Sequence, residues 1–137
     1  MQSRSVNNPE VIKEVLDTGG RIAIVGLSPK AERDSNKVAK YLLNHGFDIV
    51  PVNPMADEIL GKKSYKSVAE IEGEVDVIDI FRRPDDVPPI VDQAVEKGAK
   101  YVWLQLGVVN KTAAVTAQKA GLGVVMNRCI KIEHEKK

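Results

Sequence analysis

Residues 21–35 read RIAIVGLSPKAERDS, and this segment gives the clearest indication of the fold class. Its first residues form a short apolar run that enters Gly26, as a buried parallel strand does where it meets the turn on its ligand side. After the polar loop, apolar positions within 38–43 recur at helical spacing and stop at His45-Gly46, which predicts a helix. A strand, a polar loop and a helix in this order indicate the first unit of an α/β domain.

The rest of the chain alternates helices and strands in the same way. A leading helix over about 9–18 begins at Asn8-Pro9 and stops at Gly19-Gly20, because proline favours the first turn of a helix and glycine its end. Further strands are predicted at 48–53, 75–81, 101–105 and 123–126, with a helical turn at 67–71 after a short irregular stretch. Two more helices are predicted, one from Pro84–Pro89 to Gly98 and one from its cap Asn110 to Gly121. Asp34 or Ser35 is the predicted cap of the helix around 38–43. The alternation predicts a Rossmann-like three-layer α/β fold, with a five-stranded, mainly parallel sheet and helices on both faces.

Length and composition fit one domain over residues 1–137. Hydrophobic residues make up 43% and charged residues 28% of the chain, and the net charge of +1 gives no reason to expect nucleic acid or an anionic membrane as a partner. No apolar run approaches the roughly 18 residues of a membrane span, so we expect neither export nor a membrane anchor. The single cysteine, Cys129, suits a reducing compartment, and a cytoplasmic protein is expected. The charged tail Lys131–Lys137 is predicted to be a frayed helix or a solvated end.

The loop after the first strand has the composition of an anion site. In an open doubly wound sheet, ligands bind beyond the carboxyl ends of the strands, where the strand order reverses. Here Ser28, Lys30, Arg33 and Ser35 lie immediately ahead of a helix. Backbone N–H groups, two hydroxyls and two cations can therefore converge on a phosphate. The alternative is an exposed turn that is polar by chance, and the position after the first strand favours the anion site.

The common nucleotide fingerprints are missing from the sequence. Gly26 stands alone where a dinucleotide site needs GxGxxG, and the second strand ends in Asn53-Pro54 instead of a carboxylate for a ribose hydroxyl. No GxxxxGK followed by Ser or Thr is present for a nucleoside triphosphate. A nicotinamide-dependent or other nucleotide enzyme stays open only by analogy of fold. His45 and His134 have no ligand-spaced partner, so no metal site is predicted.

The later strand ends carry further candidate ligand-binding groups, two of which have alternative interpretations. Arg82 and Arg83 either pair with a phosphate or balance the aspartates that follow them. Gln105 and Gly107 end an apolar strand and can approach a ligand closely. Cys129 follows an arginine that favours its thiolate, but no histidine is placed to activate it. It is therefore either a redox-active thiol or a buried inert one.

Five strand-end motifs occur in order along the chain: Gly26-Leu-Ser-Pro with Arg33-Asp-Ser35, Pro51-Val-Asn-Pro54, Asp79-Ile-Phe-Arg82, Trp103-Leu-Gln-Leu-Gly107 and Asn127-Arg-Cys129. Together they resemble the YccU-like family of stand-alone CoA-binding proteins, and the match runs from about Val11 to Glu133. That family is similar in turn to the CoA-binding domain of the succinyl-CoA synthetase alpha subunit. The resemblance implies a Rossmann-like domain with coenzyme A lying across the strand ends.

Carried over position by position, the resemblance implies a site made of strand-end residues. The CoA phosphates would be held by the loop residues Gly26, Leu27, Ser28, Pro29, Lys30, Arg33, Asp34 and Ser35, chiefly Ser28, Arg33 and Ser35. The nucleotide part would be bordered by Asn53 and Pro54, and the path of the adenine or pantetheine would be lined by Phe81, Arg82, Arg83, Pro84, Gln105, Leu106 and Gly107.

The same resemblance implies a ligand without a reaction. The phosphorylated histidine of the synthetase lies in a second domain that has no counterpart in these 137 residues. We therefore expect a non-catalytic carrier or regulatory module that binds CoA or acyl-CoA. The alternatives are an NADP-type enzyme and a thiol-redox protein in which Cys129 forms a mixed disulfide with CoA. A homodimer is a further expectation that no sequence feature proves.

Overall fold

The fold is built on a parallel sheet, as seen in the computed structural model, which describes residues 4–18 and 20–137. In chain order its strands are β1 Arg21–Val25, β2 Asp48–Val52, β3 Glu58–Ile59, β4 Lys62–Lys63, β5 Val77–Ile80, β6 Tyr101–Leu104 and β7 Gly123–Met126. Its α-helices are α1 Pro9–Thr18, α2 Asp34–Asn44, α3 Val87–Lys97, α4 Lys111–Lys119 and α5 Ile130–Glu135, with short 3-10 turns at Val68–Glu70 and Pro84–Asp86. Strands β2, β1, β5, β6 and β7 form, in that order, a five-stranded sheet in which all neighbours run parallel. This confirms the predicted Rossmann-like α/β fold.

The central strands are mainly apolar because both of their faces are covered. In β1, Ile22 and Ile24 face one core, whereas Ala23 and Val25 face the other. Apolar residues of α1, α2 and α5 complete the first core, and residues of α3, α4 and the Val68–Glu70 turn complete the second. The sheet is therefore the middle of three layers, as the sequence predicted.

Residues outside the sheet cover both of its edge strands. Along β7, the Asn7 backbone N–H donates to the Val124 carbonyl at 2.9 Å, and the Asn7 side chain bonds both the N–H and the carbonyl of Met126. Along β2, the Tyr65 N–H donates to the Pro51 carbonyl at 3.0 Å. Exposed strand edges invite pairing with other chains. These contacts satisfy backbone hydrogen-bonding groups along both edge strands and so disfavour pairing with another chain.

Most predicted boundaries agree with the structure. The strands match within two residues, and β7 matches at both ends. Asn110 caps α4 as predicted, because its Oδ1 accepts a hydrogen bond from the Ala113 N–H at 2.9 Å. Gly20 follows α1, while Gly19 lies outside the described residues. The stretch predicted to be irregular contains the small antiparallel hairpin β3–β4.

The predicted cap of α2 is wrong. Arg33 occupies the N-cap position, and no side chain caps the helix by a hydrogen bond. Asp34 and Ser35 are instead the first residues of the helix. The Ser35 hydroxyl is used elsewhere, since its Oγ accepts a hydrogen bond from the Ser28 N–H at 2.9 Å. The serine stabilises the loop rather than the helix end.

The prediction of a frayed or solvated tail is also wrong. Residues Ile130–Glu135 form α5, whose Ile130 is fully buried. The Tyr41 hydroxyl and His134 Nδ1 are hydrogen-bonded at 2.7 Å, and the His134 ring packs edge-on against Phe47. Lys137 Nζ forms an ion pair with Asp17 at 2.8 Å. These partners are distant in sequence, so the charged composition of the tail did not reveal them.

Candidate functional site

The strand order places a switch point between β1 and β5. The chain passes from β1 outwards to β2, then returns across the sheet to β5 on the other side of β1. The loops that follow β1 and β5 touch here, because a Cβ built on Gly26 would lie 2.3 Å from the Phe81 carbonyl oxygen. Gly26 also has a φ of 86°, so glycine is required on two grounds. Open α/β sheets bind their ligands at such a point.

The loop after β1 is held in shape by polar side chains. The Ser28 N–H donates to Ser35 Oγ, and the Lys30 N–H donates to Ser28 Oγ at 3.1 Å. The Asn36 amide donates to the Ser28 carbonyl at 2.8 Å, and the Asn53 amide donates to the Leu27 carbonyl at 2.9 Å. The loop is thus braced from α2 on one side and from the end of β2 on the other.

A small depression opens above this braced loop at the start of α2. It has a volume of about 350 Å³ and is lined by Gly26, Ser28, Arg33, Asp34, Ser35 and Phe81. Of the other predicted loop residues, Pro29 and Lys30 are exposed but do not line it, and the Leu27 side chain is fully buried in the core. Loop N–H groups, a helix N-terminus and an exposed guanidinium together form an environment that suits a phosphate.

A larger cleft of about 880 Å³ lies beside this depression. It is bordered by α2, α5 and the loops after β5 and β6, and its lining includes the predicted residues Asp34, Phe81, Arg82, Arg83, Pro84, Gln105, Leu106 and Gly107. Lys37 and Lys131 add two further cations from α2 and α5. The cleft therefore combines apolar walls with an excess of positive charge.

Arg82 and Arg83 converge on one carboxylate. Asp86 Oδ2 lies 3.1 Å from Arg82 Nη2 and 3.6 Å from Arg83 Nε. The hydrogen bond from Arg82, supported by the charges of both arginines, lowers the pKa of Asp86. The interpretation that the arginines balance an aspartate is therefore confirmed for Asp86, whereas their pairing with a phosphate stays a prediction.

Gln105 and Gly107 shape the floor and rim of the cleft. Gln105 is buried, and its Oε1 accepts a hydrogen bond from the Ile130 N–H at 3.2 Å, at the start of α5. The Gly107 N–H donates to Asn127 Oδ1 at 2.7 Å. These bonds hold Cys129, which is half-buried, against the same cleft. The thiol is neither fully buried nor freely exposed.

A third depression lies on the other side of the switch point, with a volume of about 320 Å³. Gly26, Pro54 and Arg82 border it together with Lys66, Ser67 and Gln93. The last three were missed by sequence reasoning, because Lys66 and Ser67 follow a stretch without periodicity and Gln93 lies on a helix predicted only for its apolar face. The third depression shares Gly26 with the depression at the loop and Arg82 with the larger cleft, so the three concavities adjoin one another and form a strip.

Two buried polar groups near the site were also missed. Asp79, two residues before Phe81 on the same face of β5, is fully buried, and neither carboxylate oxygen has a hydrogen-bond partner among the described residues. Burial raises the pKa of Asp79 well above its ordinary value, so the carboxyl is neutral over a wider pH range. Asn36 is 1% exposed, and its Oδ1 is likewise unpaired within the part of the chain that the structure describes. A polar residue at an otherwise apolar position was the available signal for both.

The described residues offer neither a metal cluster nor a membrane-spanning helix. Among residues 4–18 and 20–137, no group of three or more His, Cys, Asp or Glu side chains is arranged to hold a metal ion. His45 and His134 do come together, with ring centroids 5.2 Å apart, but they lie outside the lining of the cleft. None of the described helices is long and apolar enough to cross a membrane.

Comparison with known proteins places this geometry in a family. The family described as CoA binding domain matches residues 20–135. The uncharacterized protein YneT of Bacillus subtilis is 41% identical over 123 residues, covering 90% of this chain and 91% of YneT. A hypothetical protein from Pyrococcus horikoshii superposes with a TM-score of 0.91 at 45% identity, covering 99% of this chain and 98% of that one.

A more distant relative belongs to a larger enzyme. The alpha subunit of ADP-forming acetate–CoA ligase I from Pyrococcus furiosus is 35% identical over 128 residues. These cover 82% of this chain but only 28% of the ligase subunit. The resemblance predicted from the strand-end motifs is confirmed, and the chain belongs to the CoA-binding domain family.

Proposed function

We propose that this protein binds coenzyme A or its thioesters along the carboxyl edge of the sheet, as a non-catalytic carrier or regulatory module. The observation that carries the proposal is the strip of three adjoining concavities, which share Gly26, Phe81 and Arg82 pairwise as lining residues. CoA is a long ligand with a nucleotide, a diphosphate and a flexible arm. A strip with distinct polar and apolar parts suits such a ligand better than a single round pocket.

We assign one part of the ligand to each concavity. The nucleotide would occupy the depression beside Pro54, Lys66 and Gln93, on the far side of Gly26. The diphosphate would lie at the braced loop, where Arg33 and the start of α2 supply positive charge. The pantetheine arm would follow Phe81 into the larger cleft, past Gln105 to Gly107.

The residues around the cleft support a role as carrier or regulator. Cys129 is the one cysteine in the sequence, and neither histidine, the residue type that activates a thiol, is part of the lining. The ligase relative is more than three times longer than the segment it shares with this chain, which is 28% of its length. We therefore propose ligand binding and assign no reaction to these residues.

Calorimetric titration of CoA, dephospho-CoA and NADPH tests the proposal. We expect CoA to bind and Arg33→Ala to weaken it by about tenfold to 150-fold, since hydrogen bonds to charged groups contribute about 1.5–3 kcal/mol. Lys119→Ala, which removes an exposed cation from α4, is the matched control and should leave the affinity unchanged. Binding of NADPH in preference to CoA, or equal losses in both variants, would overturn the proposal.

The position of Cys129 favours a second candidate, a thiol-redox role. Because Cys129 lines the cleft assigned to the pantetheine arm, its thiolate would attack CoA disulfide, form a protein–CoA mixed disulfide and release one CoA thiolate. Intact-protein mass spectrometry after incubation with CoA disulfide should show a mass increase that a reductant reverses. Cys129→Ser is the control. An unchanged mass of the wild-type protein would refute this role.

A further inference from the structure

Two large apolar side chains stand exposed at the mouth of the larger cleft. Leu106, from the loop after β6, is 64% exposed, and Ile132, on α5, is 44% exposed. Both line the cleft together with Phe81 from the loop after β5. Single exposed apolar side chains are common, but a group that converges on one concavity marks a surface that a ligand covers.

The same cleft carries the charge of an anion site. Lys37, Arg82, Arg83 and Lys131 line it, against the carboxylates of Asp34 and Asp86. A purely apolar ligand would leave these cations without an anionic partner, and a purely ionic ligand would leave Leu106 and Ile132 exposed to water. The lining therefore fits an amphipathic ligand with an anionic head and an apolar end.

The volumes leave room beyond the pantetheine arm. The nucleotide and diphosphate have separate depressions of about 320 and 350 Å³ in the assignment above. The remaining cleft of about 880 Å³ is near the upper end of the roughly 300–1,000 Å³ of pockets that hold a whole drug-sized ligand. The thiol end of the arm would thus enter a space that it does not fill.

We infer that the preferred ligand is an acyl-CoA with a linear apolar acyl chain, which lies between Leu106 and Ile132 at the mouth of the cleft. This inference rests on the proposed function, because the phosphates hold the ligand and the acyl chain adds to the affinity. It names a ligand class for the site: thioesters of longer apolar acids are favoured over free CoA and acetyl-CoA.

Titration of CoA, acetyl-CoA and hexanoyl-CoA against the whole chain tests the inference. A buried methylene contributes about 0.8 kcal/mol, so the four methylenes that separate the two thioesters should tighten binding by about 15-fold if half buried and by about 200-fold if fully buried. Ile132→Ser should remove most of this gain. Val115→Ser is the matched control, since Val115 is 46% exposed on α4 and does not line the cleft; it should retain the gain.

The outcomes separate this inference from the proposed function. Equal affinities for the three ligands would overturn the acyl-chain inference and leave CoA binding in place. Binding of none of them would overturn both. Free hexanoate is the last arm, and an affinity equal to that of hexanoyl-CoA would identify a fatty-acid site and overturn the inference. Gain with chain length, lost in Ile132→Ser and kept in Val115→Ser, would support it.

Discussion

Replacing Asp79 by asparagine should flatten the pH dependence of stability. In the folded protein, Asp79 lies between Ile24 and Trp103 on the neighbouring strands, fully buried and with no hydrogen-bond partner for its carboxylate among the described residues. Burial raises its pKa well above the ordinary value. In the unfolded chain the same carboxyl ionises near pH 3.9. Between these two pKa values the unfolded state releases a proton that the folded state retains.

The size of the effect follows from proton linkage. Below about pH 3.9 both states are protonated and Asp79 costs nothing through ionisation. As the pH rises above that value, the contribution of Asp79 lowers the free energy of unfolding by about 1.4 kcal/mol per pH unit, until the pH passes the raised pKa of the folded state. Each pH unit that lies between the two pKa values therefore costs about 1.4 kcal/mol, a large part of a typical stability of roughly 5–15 kcal/mol.

Urea unfolding of the wild type and Asp79→Asn at several pH values between 5 and 7 measures this slope. The difference between the two proteins is the useful quantity, because burial lowers the pKa of His134, and that group raises stability with pH up to its unfolded pKa. Asp17 does not interfere, since its pKa, lowered to about 2 chiefly by the hydrogen bond from Lys13, places its titration below this window. Parallel curves for the two proteins would refute the assignment of a neutral buried carboxyl.

Three further results are expected from single substitutions. Gly26→Ala should abolish CoA binding and cost more stability than Gly46→Ala. Both glycines have a φ of 86°, but the new Cβ at Gly26 would lie 2.3 Å from the Phe81 carbonyl oxygen, whereas a Cβ on Gly46 would meet no atom of the described residues within 4 Å apart from its chain neighbours. Equal losses by urea unfolding would contradict the close approach of the two loops. Asp86→Asn should tighten CoA binding by up to about fivefold and steepen its salt dependence, because it frees two arginines from a partly exposed ion pair; calorimetry at two salt concentrations checks this, and weaker binding would show that the aspartate positions the arginines. Asn7→Gly should cost about 1–3 kcal/mol in urea unfolding, since it removes two side-chain hydrogen bonds to the edge strand β7 while tolerating the φ of 61°; no loss would mean that the edge does not need this cover.

The sheet and its helices could be predicted because their signals are local. The run Ile22–Val25 is apolar since β1 is buried on both faces, and the burial follows directly from its place inside the sheet. Gly26 ends it because the adjacent loop comes too close for a side chain. The strand ends were therefore visible in the sequence, and so were the residues that line them.

The rest of the site depends on contacts that sequence spacing does not encode. The Tyr41–His134 hydrogen bond joins residues 93 positions apart, and it fixes a helix that composition alone presented as a solvated tail. Asp34 or Ser35 was predicted as the helix cap from its position, but the Ser35 hydroxyl oxygen instead accepts a hydrogen bond from the Ser28 N–H. Lys66 borders the site only because the Tyr65 backbone pairs with β2 and carries its neighbour to the switch point. Each failure is one of tertiary placement.

Two parts of the site, the loop after β1 and the Arg82–Asp86 ion pair, differ in how far they are already arranged for a bound phosphate. The loop after β1 is held by hydrogen bonds from Ser35, Asn36 and Asn53, so binding there loses little conformational freedom. Arg82 instead begins in an ion pair with Asp86 and must exchange that partner for a phosphate. We therefore expect the loop to set the position of the diphosphate, and Arg82, which borders the nucleotide depression and the larger cleft, to set the salt dependence of binding. If so, Arg33→Ala and Asp86→Asn should act additively on the free energy of CoA binding, because neither residue shares a hydrogen-bond partner with the other.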